Sequence, residues 1–202
     1  MMKMSTLHAV AVSTLCLSAC GGSPTAPAQA AAPTVLTLGL AGQSNSILMR
    51  PFLADVATVV GAGDQVTTID CWSAGGDCWR GLEPTLHARL DAFVWWQGES
   101  DVAAGTSGPV YMAALADLVQ RIRATTGNPR LLIVIMQMGT AYSGNLPDGA
   151  YQRARQWSAQ DGNSVYVETQ DLEYRWWDSA HMTEAGYAAV CLRIAAVVRA
   201  RR

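Results

Sequence analysis

Leu131-Leu132-Ile133-Val134-Ile135 is five branched apolar residues in a row with no polar interruption. A strand wetted on one face alternates apolar with polar residues, so an unbroken run belongs to a parallel strand covered on both faces. Working outward from it, 92–96 and 165–168 repeat the pattern, and 35–40 is a β-branched, apolar run that ends in Ala41-Gly42. Residues 66–69 supply one more candidate, and the Leu131 strand extends over 131–138. Between the strands lie helical stretches. Residues 111–125 carry apolar positions at helical spacing, with Arg121 and Arg123 near the end, and 150–160 is a fainter case. Residues 184–199 follow Thr183 as an N-cap and close on arginine, which suits a helix C-terminus. Alternation of this kind predicts a three-layer α/β/α sandwich around a five-stranded parallel sheet. No repeat and no second domain is visible.

Half of the 202 residues are hydrophobic and 15% are charged, and the net charge of −2 gives no electrostatic reason to bind nucleic acid. Lys3 is the only lysine. A mature chain without it has no Walker lysine, Schiff-base lysine or Ser-Lys dyad. Residues 7–17 form an apolar stretch behind Lys3 that is too short to span a bilayer, as in a secretory signal. It runs into Leu17-Ser18-Ala19-Cys20-Gly21, which resembles a bacterial lipobox and predicts lipid on Cys20 as the mature N-terminus. A plain cleaved signal peptide is the alternative. The expected organisation is therefore a signal over 1–20, an uncharged linker rich in Gly, Ser, Pro, Ala and Thr over 21–33, and one folded domain over 34–202. Such a chain is exported and held at the bacterial envelope through the acyl chains. Cys71 and Cys78 bracket a short loop that a disulfide would pin. Zinc is the rival there, although the spacing matches no common finger. Cys191, in an apolar helical run, reads as a small buried hydrophobe.

Only three histidines are present. His8 lies in the leader, and His87 sits on an amphipathic stretch as an ordinary surface or packed residue. His181 follows Trp176-Trp177-Asp178-Ser179-Ala180 in a segment read as a loop before the last helix. Asp178, three residues earlier, can reach Nδ1 of the ring on a turn, fixing its tautomer and stabilising the imidazolium. Asp-x-x-His is common by chance. It gains meaning from Ser44, which follows the first strand at the sheet edge where the last loop would arrive. A serine hydroxyl needs a base to become a nucleophile, although a serine here is equally placed to be a helix N-cap. Acyl transfer also needs donors aimed at the developing oxyanion. The amides of Ser44 and of Gly75 or Gly76 are candidates, with the side-chain NH2 of Gln97.

Four phrases occur in order: Gly42-Gln43-Ser44-Asn45, Ser73-Ala74-Gly75-Gly76, Trp96-Gln97-Gly98-Glu99-Ser100-Asp101 and Asp178-Ser179-Ala180-His181. The set resembles the blocks of the SGNH hydrolase superfamily, and most closely its sialate O-acetylesterase and acetyl xylan esterase branch, over residues 34–200. The resemblance implies a flavodoxin-like fold and ester hydrolysis with no metal or cofactor. Ser44 would be the nucleophile, His181 the acid/base and Asp178 its partner. Ser44, Gly75 or Gly76, and Gln97 would form the oxyanion hole. Gln43 and Asn45 would support the nucleophile. Glu99 would be a buried hydrogen-bonding residue, and it is the one rival to Asp178. The stretch between Ser44 and Gly75 is short for this branch, and Asp77 stands where Thr or Ser is more usual.

Seven tryptophans are many for this length, and Trp72, Trp79, Trp176 and Trp177 flank the candidate loops. They are either core or sugar-stacking surfaces. The preferred substrate is a small acyl ester, acetyl above all, on a carbohydrate. A lipase or thioesterase acting on longer chains is the neighbouring alternative. A silent glycan-binding lipoprotein is the alternative from another class.

Overall fold

The computed structural model describes residues 36–59, 86, 89–139 and 150–202. The strands β1 (Thr37–Gly42), β2 (Thr58–Val59), β3 (Ala92–Trp96), β4 (Leu132–Met136) and β5 (Ser164–Val167) run parallel, side by side in the order β2-β1-β3-β4-β5. The chain leaves β1 for β2, then crosses back over β1 to reach β3. Such a reversal of strand order is where α/β proteins bind ligands, at the carboxyl ends of the strands. The helices in chain order are α1 (Ser44–Ala54), α2 (Glu99–Ala103), α3 (Gly108–Thr125), α4 (Ala150–Asp161) and α5 (Glu184–Arg199).

Alternation along the strands separates the two faces of the sheet. Leu38, Leu40, Val94, Trp96, Val134 and Met136 pack with Met49 and Leu53 of α1 and with Val190, Cys191, Ile194 and Val198 of α5. Ala41, Phe93, Trp95, Ile133 and Ile135 pack on the other face with Leu115, Leu118, Val119 and Ile122 of α3, and Trp157 of α4 joins at the margin. These are the two outer layers of the sandwich. Trp95 and Trp96, adjacent in sequence, therefore serve opposite cores, each 2% exposed or less. Burying one such side chain is worth about 1.5–3 kcal/mol, which is why the unbroken apolar strands decide the architecture.

Strand 92–96 and helix 184–199 stand where the pattern puts them. Thr183 caps α5, its hydroxyl accepting the Gly186 amide at 3.2 Å, and Cys191 is buried against the Met49 carbonyl. Helix α3 starts three residues earlier than its periodicity, because Ser107 is extended and Pro109 occupies the first turn. Residues 66–69, His87, Cys71, Cys78, Gly75, Gly76, Trp72, Trp79 and the leader with Cys20 lie outside the described residues. At the described sheet edge, β2 pairs with β1 through only two residues. One correction concerns 174–182. Instead of a loop, this segment is an antiparallel hairpin of β6 (Tyr174–Arg175) and β7 (Asp178–Met182). Strands so short carry no periodicity to read.

Candidate active site

Strand β1 ends at Gly42, whose φ of +144° and crowding against the Trp96 carbonyl exclude any side chain. The next amide, Gln43, donates to that same carbonyl at 2.9 Å. Ser44 then opens α1 and is exposed. Its neighbours turn inward. The buried Gln43 side chain accepts the Gly98 and Ser100 amides through Oε1 at 3.2 Å each and donates to the Ser100 hydroxyl. Asn45, 1% exposed, donates from Nδ2 to Glu99 Oε1 at 3.1 Å and to the Ala180 carbonyl at 3.0 Å. Its Oδ1 accepts the Tyr187 hydroxyl at 2.8 Å. Gln43, the extended N-cap, and Asn45 in the first turn thus put two amide side chains in the interior and leave the Ser44 hydroxyl in solvent.

In a flat strand, residues three apart point to opposite faces, which would separate Asp178 from His181. Strand β7 is not flat. Its register against β6 shifts between Arg175↔Asp178 and Tyr174↔Met182, so the chain bulges over 179–181. Asp178 Oδ1 accepts the Ala180 amide at 3.0 Å, an Asx turn that folds the strand back on itself. Asp178 Oδ2 then pairs with His181 Nδ1, and His181 Nε2 lies 2.8 Å from Ser44 Oγ across 137 positions of sequence. Hydrogen bonding to His181 holds the Asp178 carboxyl below the ordinary carboxylate range. Behind the hairpin is Gly139. A Cβ there would sit 2.6 Å from the Ala180 carbonyl oxygen and 2.7 Å from its Cα.

Gln97 is 1% exposed, and its NH2 donates to the Asp101 carboxylate inside the molecule. That bond uses one of the two hydrogens of the NH2 group. Asp101 is a buried carboxyl that needs such donors, and burial raises its pKa. Glu99 does not take the ring nitrogen of His181, which goes to Asp178. It binds Asn45 instead, and burial pushes its carboxyl above the usual range against the opposing pull of Asn45, His181 and the Gly139 amide. Tyr187, Gly139 and the Ala180 carbonyl join the site without a sequence signal. Tyr187 reads as one more apolar-face residue of α5, and nothing local says that its hydroxyl meets Asn45. Among the described residues no three His, Cys, Asp or Glu side chains gather as metal ligands.

Residues 54–200 match the family described as carbohydrate esterase, sialic acid-specific acetylesterase. The chain belongs to that family. The esterase is therefore a carboxylic ester hydrolase, of a family whose chemistry is acetyl ester hydrolysis on carbohydrates. The matched stretch begins beyond Ser44, so the place of that serine rests on the geometry above. Among solved structures, a protein from Arabidopsis thaliana superposes with a TM-score of 0.53 at 18% identity, over 77% of this chain and 68% of that one. NanS superposes at 0.50 and 13%, over 76% and 68%. A family 3 carbohydrate esterase from Clostridium thermocellum gives 0.50 and 13%, over 83% and 98%. At such identities the likeness shows the fold. No curated protein sequence matches the esterase.

Proposed function

We propose that the esterase removes acetyl groups from carbohydrate by nucleophilic catalysis at Ser44, with His181 as general base and acid and Asp178 as its orienting partner. The observation that carries this reading is the 2.8 Å approach of His181 Nε2 to the exposed Ser44 hydroxyl, with Nδ1 already held by Asp178. In the first half-reaction Ser44 Oγ adds to the acetyl carbonyl carbon while His181 Nε2 takes the hydroxyl proton. The tetrahedral oxyanion collapses, the bond to the sugar oxygen breaks, and that oxygen leaves with the proton from His181. In the second, water attacks the acetyl-serine, His181 takes its proton, and acetate departs as the proton returns to Ser44. Asp178 stabilises the imidazolium formed in each half. The Ser44 amide, in the unpaired first turn of α1, and the side-chain NH2 of Gln97 are the oxyanion donors this reading assigns among the described residues. Their partner is a glycine of the Gly75-Gly76 block.

Ser44→Ala is expected to lower kcat by about 10⁴-fold or more with folding unaffected, measured by acetate release and by far-ultraviolet circular dichroism. Mass spectrometry of a quenched reaction should find acetyl on the Ser44 peptide. Wild-type turnover in Ser44→Ala would remove the assignment. Acetate and octanoate esters, compared on the wild type, test the short-chain preference. The lipobox reading adds an envelope location through Cys20, checked by the mass of the mature N-terminus.

A further inference from the structure

We propose that Trp176 and Trp177 form a stacking platform for a pyranose ring of an extended glycan, one or more units away from the acetylated sugar at Ser44. The inference rests on the carbohydrate esterase reading of this site and names its substrate class: a chain rather than a free monosaccharide.

Trp176 is 90% exposed and Trp177 65% exposed, while Trp95 and Trp96 are buried. The other large apolar side chains exposed among the described residues, Ile47, Val110 and Leu192, stand one to an element. The two indoles are paired, with ring centroids 5.5 Å apart and planes at 82°, so each ring fixes the other without covering its outer face. They occupy the turn between β6 and β7, and Asp178 follows directly. Large apolar surface kept in water marks a binding site more often than a packing remnant. Indole suits a sugar because its flat face accepts the apolar C–H face of a pyranose while the hydroxyls around the ring edge stay hydrated.

The position argues for an oligomer. The bonds from Asp178 to Ala180 and His181, and from His181 to Ser44, fix the platform relative to the nucleophile. Trp177 precedes His181 by four residues, which at ~3.3 Å per strand residue is no more than about 13 Å. That limit keeps the platform within reach of a sugar unit adjoining the one held at Ser44. The surroundings argue against a bilayer as the occupant. Aromatic residues that enter membranes are flanked by lysine and arginine. Here Glu173 is exposed and Asp178 partly so, while Arg175 is turned inward onto the Met182 carbonyl at 3.1 Å.

The test uses the full chain with four substrates: a soluble aryl acetate, free O-acetyl sialic acid, and acetylated fragments of xylan and of peptidoglycan from one unit upward. The wild type should gain in kcat/KM as the chain lengthens on at least one polymer. Trp176→Ala/Trp177→Ala should raise KM for that longer fragment about tenfold, the size of one good aromatic contact, with kcat and aryl acetate turnover unchanged. Trp176→Phe/Trp177→Phe should recover part of the loss. No gain with length in the wild type overturns the proposal, as does an equal loss on aryl acetate and fragment, which would mark a structural role in the hairpin. Binding of phosphatidylglycerol vesicles that disappears in the alanine variant, with fragment KM unchanged, overturns it in favour of a membrane contact. Ser44→Ala separates the two readings. Tryptophan fluorescence of this variant should still titrate with the fragment, and it should do so even if hydrolysis persisted and the serine mechanism fell.

Discussion

Ser44 stands on a turn whose neighbours are almost wholly enclosed, whereas His181 and Asp178 stand on a two-stranded hairpin and are 25% and 30% exposed. The β1–α1 turn is tied to β3 through Gln43 and through the bare backbone of Gly42. Among the described residues the hairpin joins no larger sheet. It borrows position from Asn45 on its Ala180 carbonyl, from Gly139 behind it, and from Arg175 and the capped start of α5 at its base. The difference teaches that the proposed nucleophile is set by the core, whereas its base is set by a few contacts reaching out from that core. Mutations on the two sides should therefore differ in kind.

The largest effect expected on the hairpin side is from Asp178→Asn. The amide cannot hold His181 in the tautomer that accepts the serine proton, so kcat/KM should fall about 10³–10⁴-fold. The urea midpoint should fall only slightly, because a partly exposed hydrogen bond contributes modest net stability. Loss of less than tenfold in aryl acetate turnover would show that another carboxylate, Glu99 being nearest in role, can serve His181.

Asn45→Ala breaks both sides together. It strips a partner from the Tyr187 hydroxyl, Glu99 and the Ala180 carbonyl in one step. At about 1–3 kcal/mol for each buried group left unpaired, equilibrium urea unfolding should show a loss of roughly 3 kcal/mol or more, with activity falling as the hairpin loosens. Unchanged stability would mean that the Asn45 hub does not carry the connection between turn and hairpin.

This asymmetry also explains what the sequence could reveal. The β1–α1 and β3 regions were legible because buried parallel strands must be apolar throughout, and Gly42 and Gly98 mark where each one ends. Ser44, Asp178 and His181 were legible as a set only through their order along the chain. The hairpin was not, since two strands of two and five residues have no period, and the i, i+3 spacing of Asp178 and His181 suits a turn better than a strand. The bond from Gln97 to Asp101 was equally hidden, since no sequence pattern tells that a carboxylate four residues on accepts from its amide. Gly139 gave no signal at all, because its constraint comes from a chain segment 40 residues away in sequence.

Gly139→Ala isolates that segment. The φ of Gly139 is not in the left-handed region, so the added methyl acts only by overlap with Ser179 and Ala180. Overpacking of this kind costs about 1–3 kcal/mol. Displacing His181 by a fraction of an ångström to one ångström should lower kcat about 10- to 100-fold, with KM little changed. A variant that loses stability but keeps its kcat would show that the hairpin tolerates movement, and the contrast between the two regions would be weaker than drawn.

The smallest effect, and the one that separates the regions by sign, is Glu99→Gln. Burial raises the Glu99 carboxyl above its ordinary value of 4.5, so the folded state holds that proton more tightly than the unfolded chain does. Its contribution is complete below the unfolded value and is lost as pH rises through the raised folded value. Glutamine cannot ionise, yet its Oε1 can still accept from Asn45. The melting temperature of Glu99→Gln relative to wild type should therefore climb as pH rises across that interval and then level off. Asp178 carries the opposite sign. Its carboxyl is depressed by His181, so its contribution is present above the unfolded value and is lost as pH falls through the folded one. Melting curves of Glu99→Gln and Asp178→Asn, each taken against wild type over the acid range, should thus diverge in opposite directions. Parallel curves for Glu99→Gln would mean that its carboxyl keeps enough solvent to ionise freely, and that the enclosed character assigned to the β1–β3 side stops short of residue 99.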